Sequence, residues 1–115
     1  MPDSYPGAVP NIKHAVIDAA TAGNNTLVAA VTGMKIRVLS LWLVNGHTST
    51  QTVRFESGAG GTALSGQMIF AANGGLVLPH NPAGWFETAA ATLLNLELSG
   101  ATTVDGALNY VEVDG

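Results

Sequence analysis

The chain has 115 residues, four Lys or Arg, eight Asp or Glu, no Cys, a net charge of −4 and 47% apolar residues. That length sets one domain with enough chain to bury a core; the composition excludes a disordered chain, disulfides and thiolate metal sites, and argues against a nucleic-acid partner whose phosphates need several basic side chains. Only 10% of residues are charged, less than half the roughly 25% of soluble domains, so the surface must be largely Thr, Ser, Asn, Ala and Gly.

Residues 1–10 read Met-Pro-Asp-Ser-Tyr-Pro-Gly-Ala-Val-Pro, with no basic residue and no apolar run of signal-peptide length after them. The longest apolar-rich run, residues 38–44, falls far short of the roughly 20 residues a bilayer-spanning helix needs. A chain made in the cytoplasm, with no membrane partner, is expected. Pro2, Pro6 and Pro10 remove amide donors and fix φ, which favours an extended arm over residues 1–12. That arm is either a free tail or a segment crossing onto a neighbouring subunit with Tyr5 and Val9 as anchors.

No long stretch repeats apolar residues at helical spacing, while short apolar runs recur between Gly, Asn and Pro breaks. This is the pattern of an all-β domain. Residues 14–19 make the first predicted strand, 21–25 a turn in which Gly and Asn tolerate positive φ, and 26–31 a second strand. Residues 35–44 make the strongest one. Lys35 and Arg37 alternate with Ile36 and Val38, giving one wet and one buried face. From Leu39 onward both faces are apolar, with Leu39, Leu41 and Leu43 on one and Trp42 and Val44 on the other. A strand dry on both faces lies between two layers, or between its own core and another subunit.

Asn45-Gly46 signals a turn that the polar tract 47–51 lengthens into a loop. Residues 51–57 then alternate, Val53 and Phe55 inward, Thr52, Arg54 and Glu56 outward into solvent. After a glycine loop at 58–61, short strands are predicted at 67–72, 75–79 and 85–88. A helical turn fits at 89–91. Residues 92–99 place Leu94, Leu96 and Leu98 on one face and Asn95 and Glu97 on the other, and 107–113 closes the chain. About eight or nine strands in roughly 100 residues predict a two-sheet antiparallel sandwich, jelly-roll-like, over residues 13–115.

Candidate chemistry is sparse. Residues 57–63, Ser-Gly-Ala-Gly-Gly-Thr-Ala, contain a G-x-G-x-x-A match, but no helix is predicted after it to hold a pyrophosphate. No Lys follows the glycines, so a phosphate loop is excluded as well. His14, His47 and His80 are not spaced as metal ligands within one chain; no metal or cofactor is expected. The carboxylates Glu56, Glu97 and Glu112 read as outward strand positions, and no nucleophile motif accompanies the histidines. A non-enzymatic protein is expected. Flat aromatic faces suit sugars, so Trp42 and Trp85, with loop residues Asn45, Asn73 and Asn81, are the candidate glycan contacts of a binding module. Trp42 lies in the driest strand, which favours a core role. Trp85 and Phe86, a bulky pair beside a turn, fit a core plug or an inter-subunit anchor.

Three phrases carry a family resemblance: residues 35–40, Lys-Ile-Arg-Val-Leu-Ser; residues 55–64, Phe-Glu-Ser-Gly-Ala-Gly-Gly-Thr-Ala-Leu; and residues 76–79, Leu-Val-Leu-Pro. With residues 81–88, Asn-Pro-Ala-Gly-Trp-Phe-Glu-Thr, and the ending Tyr110-Val111-Glu112-Val113, the chain from about 13 to 113 resembles small tailed-bacteriophage virion structural proteins. The resemblance implies a β-rich, oligomeric head-decoration or cement protein located in the virion, with the major capsid protein or another virion protein as partner. Tail, neck or fibre parts are the alternative within the same group. It carries over no reactive residue. A trimer is expected, with Tyr5, Val9, Leu39, Leu41, Leu43, Trp85 and Phe86 as the candidate subunit or capsid contacts.

Overall fold

Ten strands and no helix make up the described residues, 11–101 and 103–115, of the computed structural model. They are β1 (Lys13–Ala19), β2 (Gly23–Val28), β3 (Met34–Asn45), β4 (Gln51–Ser57), β5 (Thr62–Ala63), β6 (Met68–Phe70), β7 (Gly75–Leu78), β8 (Phe86–Glu87), β9 (Leu94–Leu98) and β10 (Val104–Asp114). Tyr5 and Val9 lie outside the described residues.

The first sheet runs β1-β10-β3-β7, with β8 also on β3; the second runs β2-β9-β4-β5, with β6 also on β4. Every pairing is antiparallel. Strands of the first half pair with strands of the second half in reverse order: β1 with β10, β2 with β9, β3 with β7 and β8, β4 with β5 and β6. The chain is thus one long antiparallel ribbon, turned back at residues 58–61 and rolled so that successive pairs fall in opposite sheets. That winding is a jelly roll.

Period-2 alternation builds the core. Ile17, Val53, Phe55, Leu94, Leu96, Leu98, Val104 and Leu108 all point between the sheets and are buried. Each such aliphatic or aromatic side chain contributes about 1.5–3 kcal/mol by leaving water. Phe86 belongs to this core, its ring 4.9 Å from that of Phe55. Phe86 is thus partly buried against the core, as the plug role expects.

The doubly dry strand has a different explanation from the one its sequence suggests. Opposite β3, the register of β10 shifts between Asn109 and Tyr110, so Asn109 pairs with Ser40, Tyr110 with Val38, and Leu39 faces no residue of β10. This bulge reverses the alternation. Ile36 and Val38 point inward before it, and Leu41, Leu43 and Asn45 point inward after it. Leu41 and Leu43 are therefore core residues rather than subunit contacts, and Leu39 is buried, its carbonyl accepting from the amide of Asn81. The outward set is Ser40, Trp42 and Val44. Trp42 is 50% exposed, not in the core.

Other boundaries move for local reasons. The second strand starts three residues earlier than expected, because the Asn25 amide donates to the carbonyls of Thr21 and Gly23 and so closes the turn from inside the strand. Residues 62–63 add a short strand that completes the 58–61 hairpin. Residues 89–91 form no helical turn: Ala91 has φ 55° and its amide donates to Met34.

Candidate functional site

The outer face of the first sheet brings together side chains that are remote in sequence. Val16 pairs with Ala107, Ala107 with Trp42, and Trp42 with Val77, so one row crosses β1, β10, β3 and β7. All four positions point away from the core. Val16 is 66% exposed, Trp42 50% and Val77 73%. One step along the strands lies a polar row, His14–Asn109–Ser40; one step the other way lies Asp18–Asp105–Val44–Gly75. A shallow groove of about 240 Å³ opens beside the indole, lined by His14, Ser40, Trp42, Val77, Ala107 and Asn109. The ring nitrogen Nδ1 of His14 lies 3.2 Å from Oδ1 of Asn109, which orients the imidazole and leaves its Nε2 edge turned away from that contact.

Asp18 and Asp105 are directly opposed across the β1–β10 ladder. Burial first, then the Asp18 charge and a hydrogen bond with it, push the Asp105 carboxyl above the usual carboxylate range. Like charges placed opposite each other in a sheet are destabilising, so this pair is a local cost on the same face as the apolar row.

The outer face of the second sheet is a closed ionic lattice instead. Arg54 donates to Glu56 and, at 2.9 Å, to Glu97; Asn95 donates to Glu56 at 2.9 Å and to Asn24 at 3.0 Å. The Oδ1 of Asn24 also accepts the Gly60 amide, tying the 58–61 loop to β2. Glu56 points outward as its alternation requires, yet it is fully buried beneath these partners rather than solvated. Burial acts to raise its pKa, but hydrogen bonds with Arg54, Glu97 and Asn95 and the Arg54 charge outweigh it and hold the carboxyl below the usual range. Elsewhere Arg37 and Lys35 meet Glu87, and Lys13 meets Glu112. All four basic residues of the chain are thus in ion pairs.

The other sequence candidates have structural work. Asn45 is buried and donates to the carbonyls of Ser49, Phe70 and Ala71, holding the 46–50 loop against the 71–74 turn. Asn73 takes φ 64° at that turn, and the Asn81 side chain caps the next one by accepting from Ala83. The side chains of Asn45 and Asn81 are thus engaged in holding their own loops, while Asn73 is exposed. Trp85 is 42% exposed, with its indole N–H donating to Pro79 at 2.8 Å. Ser49 donates its amide to Nδ1 of His47. Among the described residues, no three His, Asp or Glu side chains gather as metal ligands. The apolar row escaped sequence reasoning because its members are spread over four strands; the only local signal was that each occupies an outward position in its own alternation.

No protein-family model matches the chain, and a search of curated proteins finds no similar sequence.

Proposed function

We propose that this is a non-enzymatic structural protein of a tailed-phage virion, a self-associating jelly roll that decorates and cements the head. The observation that carries this reading is the Val16–Ala107–Trp42–Val77 row. Three large apolar side chains stand in water across the full width of a sheet, an arrangement that marks a protein contact rather than scattered surface apolarity. Covering them returns roughly 25 cal/mol for each Å² of apolar surface removed from water.

Charge placement supports the same reading. The basic side chains are neutralised by acidic partners within the subunit, so docking on neighbouring copies strips few free charges of water. The phage-like phrases supply the biological setting. Mechanically, subunits bridging capsomer junctions add buried area that shell expansion or internal pressure must break.

Mass spectrometry of purified virions tests the proposal. The chain is expected in intact particles at a copy number comparable with the shell protein; its absence refutes the proposal. A copy number lower by an order of magnitude or more moves the role to tail or neck. A second reading, a glycan-binding module, is favoured by one feature only: the groove that joins the Trp42 face to the hydrogen-bonding side chains of His14, Ser40 and Asn109.

A further inference from the structure

We infer that the outer face of the first sheet seats the same face of a second copy, about a two-fold axis running along the Val16–Ala107–Trp42–Val77 row. The inference rests on the self-association proposed above and names its contact. Two sheets that pack face to face with aligned strands and form a self-complementary interface are related by an axis lying in their common plane. That axis runs either along the strands or across them.

An axis along the strands and through the middle of the sheet lays Asp18 and Asp105 of one copy over Gly75 and Val44 of the other. Two carboxylates then lose water and gain no donor. A desolvated ion left without a partner costs several kcal/mol, comparable with what the apolar row contributes.

An axis across the strands reverses strand direction and exchanges the flanks. On every strand the flanking positions sit two residues to either side of the row: His14 and Asp18 about Val16, Asn109 and Asp105 about Ala107, Ser40 and Val44 about Trp42. Their exchange sets the imidazole of His14 against Asp18 of the second copy, and the amide of Asn109 against its Asp105. Asp105 receives the Asn109 amide N–H, Asp18 receives the Nε2–H of His14 in its imidazolium form, the Nδ1–H being held by Asn109 Oδ1, and the apolar row closes on itself. The methyl group of Ala107 leaves space on one side of each indole, into which the facing Trp42 rings tilt. The acidic pair that is a cost within one subunit becomes a contact between two, and the complementarity is what selects this orientation.

Light scattering on the full chain over a concentration series, with three variants, tests the contact. Wild type is expected to form the pair. Trp42→Glu is expected to be monomeric with an unchanged far-UV circular dichroism spectrum, since the indole is half exposed. His14→Asp, which sets carboxylate against carboxylate, is expected to weaken association about tenfold or more, and combining it with Asp18→His is expected to recover most of that loss. Association that survives Trp42→Glu places the contact elsewhere and overturns the inference while leaving self-association standing. Loss in His14→Asp with no recovery in the exchanged double variant overturns the orientation. A wild type monomeric at every concentration overturns the pair; if virions nevertheless contain the chain, the structural reading survives it. An indole fluorescence shift on adding host polysaccharide to such a monomer, absent in Trp42→Glu, gives the face to a glycan instead.

Discussion

Two carboxylates on opposite faces of the sandwich move stability in opposite directions with pH. Asp105 sits partly buried against Asp18, so its folded pKa lies above its unfolded one. Between those values the folded chain holds more protons, and stability rises as pH falls through the folded pKa towards the unfolded one. Glu56 is the reverse. Its folded pKa is depressed, so its contribution is present above the unfolded value and lost as pH falls through the folded one. Asp105→Asn removes the repulsion and supplies an N–H donor to Asp18. After allowing for solvent screening at a partly exposed site, it is expected to stabilise by about 0.5 kcal/mol at neutral pH, or about 2–4 °C in thermal midpoint. That advantage should vanish below the usual Asp range. Glu56→Gln is expected to cost about 2–4 kcal/mol at neutral pH, because Arg54 loses its buried counter-charge and one of the two donors, Arg54 or Asn95, is left facing an amide N–H instead of an oxygen, and to flatten the acid limb of the stability curve. Thermal melts from roughly pH 2 to pH 8 read both effects. An Asp105→Asn protein no more stable than its parent at pH 7, both carrying Trp42→Glu so that no pair forms, refutes the account of the acidic pair.

At the scale of the strand, β3 is held at Leu43 and Val44 by glycines on both sides. A Cβ on Gly106 of β10 would stand 1.9 Å from the Trp42 carbonyl oxygen, and one on Gly75 of β7 would stand 2.1 Å from that of Leu43. Neither atom belongs to a flexible side chain, so the strands would have to separate. Gly106→Ala is expected to cost about 2–3 kcal/mol by overpacking. Gly66→Ala, where a Cβ meets nothing within 4 Å, is expected to stay within about 0.5 kcal/mol of wild type. Urea titration distinguishes them, and equal midpoints for the two variants refute the close-approach argument. The same strand shows what was legible in the sequence. In β4 and β9 an unbroken alternation gave Val53, Phe55, Leu94, Leu96 and Leu98 their inward face correctly. In β3 the alternation breaks at Leu39, and the break depends on a bulge in the register with β10, a partner 70 residues away. With the phase lost, the local pattern puts Leu41 and Leu43 at contacts and Trp42 in the core, the reverse of the structure. Glu56 fails for a related reason: its outward direction is local, but its cover is completed by Asn95 of the neighbouring strand, itself held by Asn24, as well as by Arg54 of its own. The apolar row is wholly a product of register, since no two of its members are near in sequence.

Among the described residues, the ribbon topology leaves Asn11 and Gly115 close to one another and the 58–61 turn at the far end of the winding. Lys13 pairs with Tyr110, and β10 continues only to Asp114. A segment that rejoins Gly115 to Asn11 has about 15 Å of strand to retrace, and residues 1–10 span up to about 33 Å when extended. A circular permutant that keeps every residue, joins Gly115 to Met1 and opens between Gly60 and Gly61 is therefore expected to fold. It gives up the turn bond from the Gly61 amide to Gly58, and frees the end that carries the bond from the Gly60 amide to Asn24. The added closure is a short loop in place of another short loop, so the expected loss is a few degrees in thermal midpoint. Opening between Leu108 and Asn109 is a different operation. That cut falls inside β10, the one strand that pairs with both β1 and β3 and so joins the outermost turn of the ribbon to the middle of the sheet. It is expected to abolish cooperative folding. Circular dichroism melts of the two permutants decide the matter. If the variant opened at Gly60 fails to fold while its composition is unchanged, the 58–61 hairpin is needed to start the ribbon, and stability does not reside in strand pairing alone. If the variant opened in β10 melts cooperatively near the wild-type temperature, β10 is not the strand that holds the winding closed.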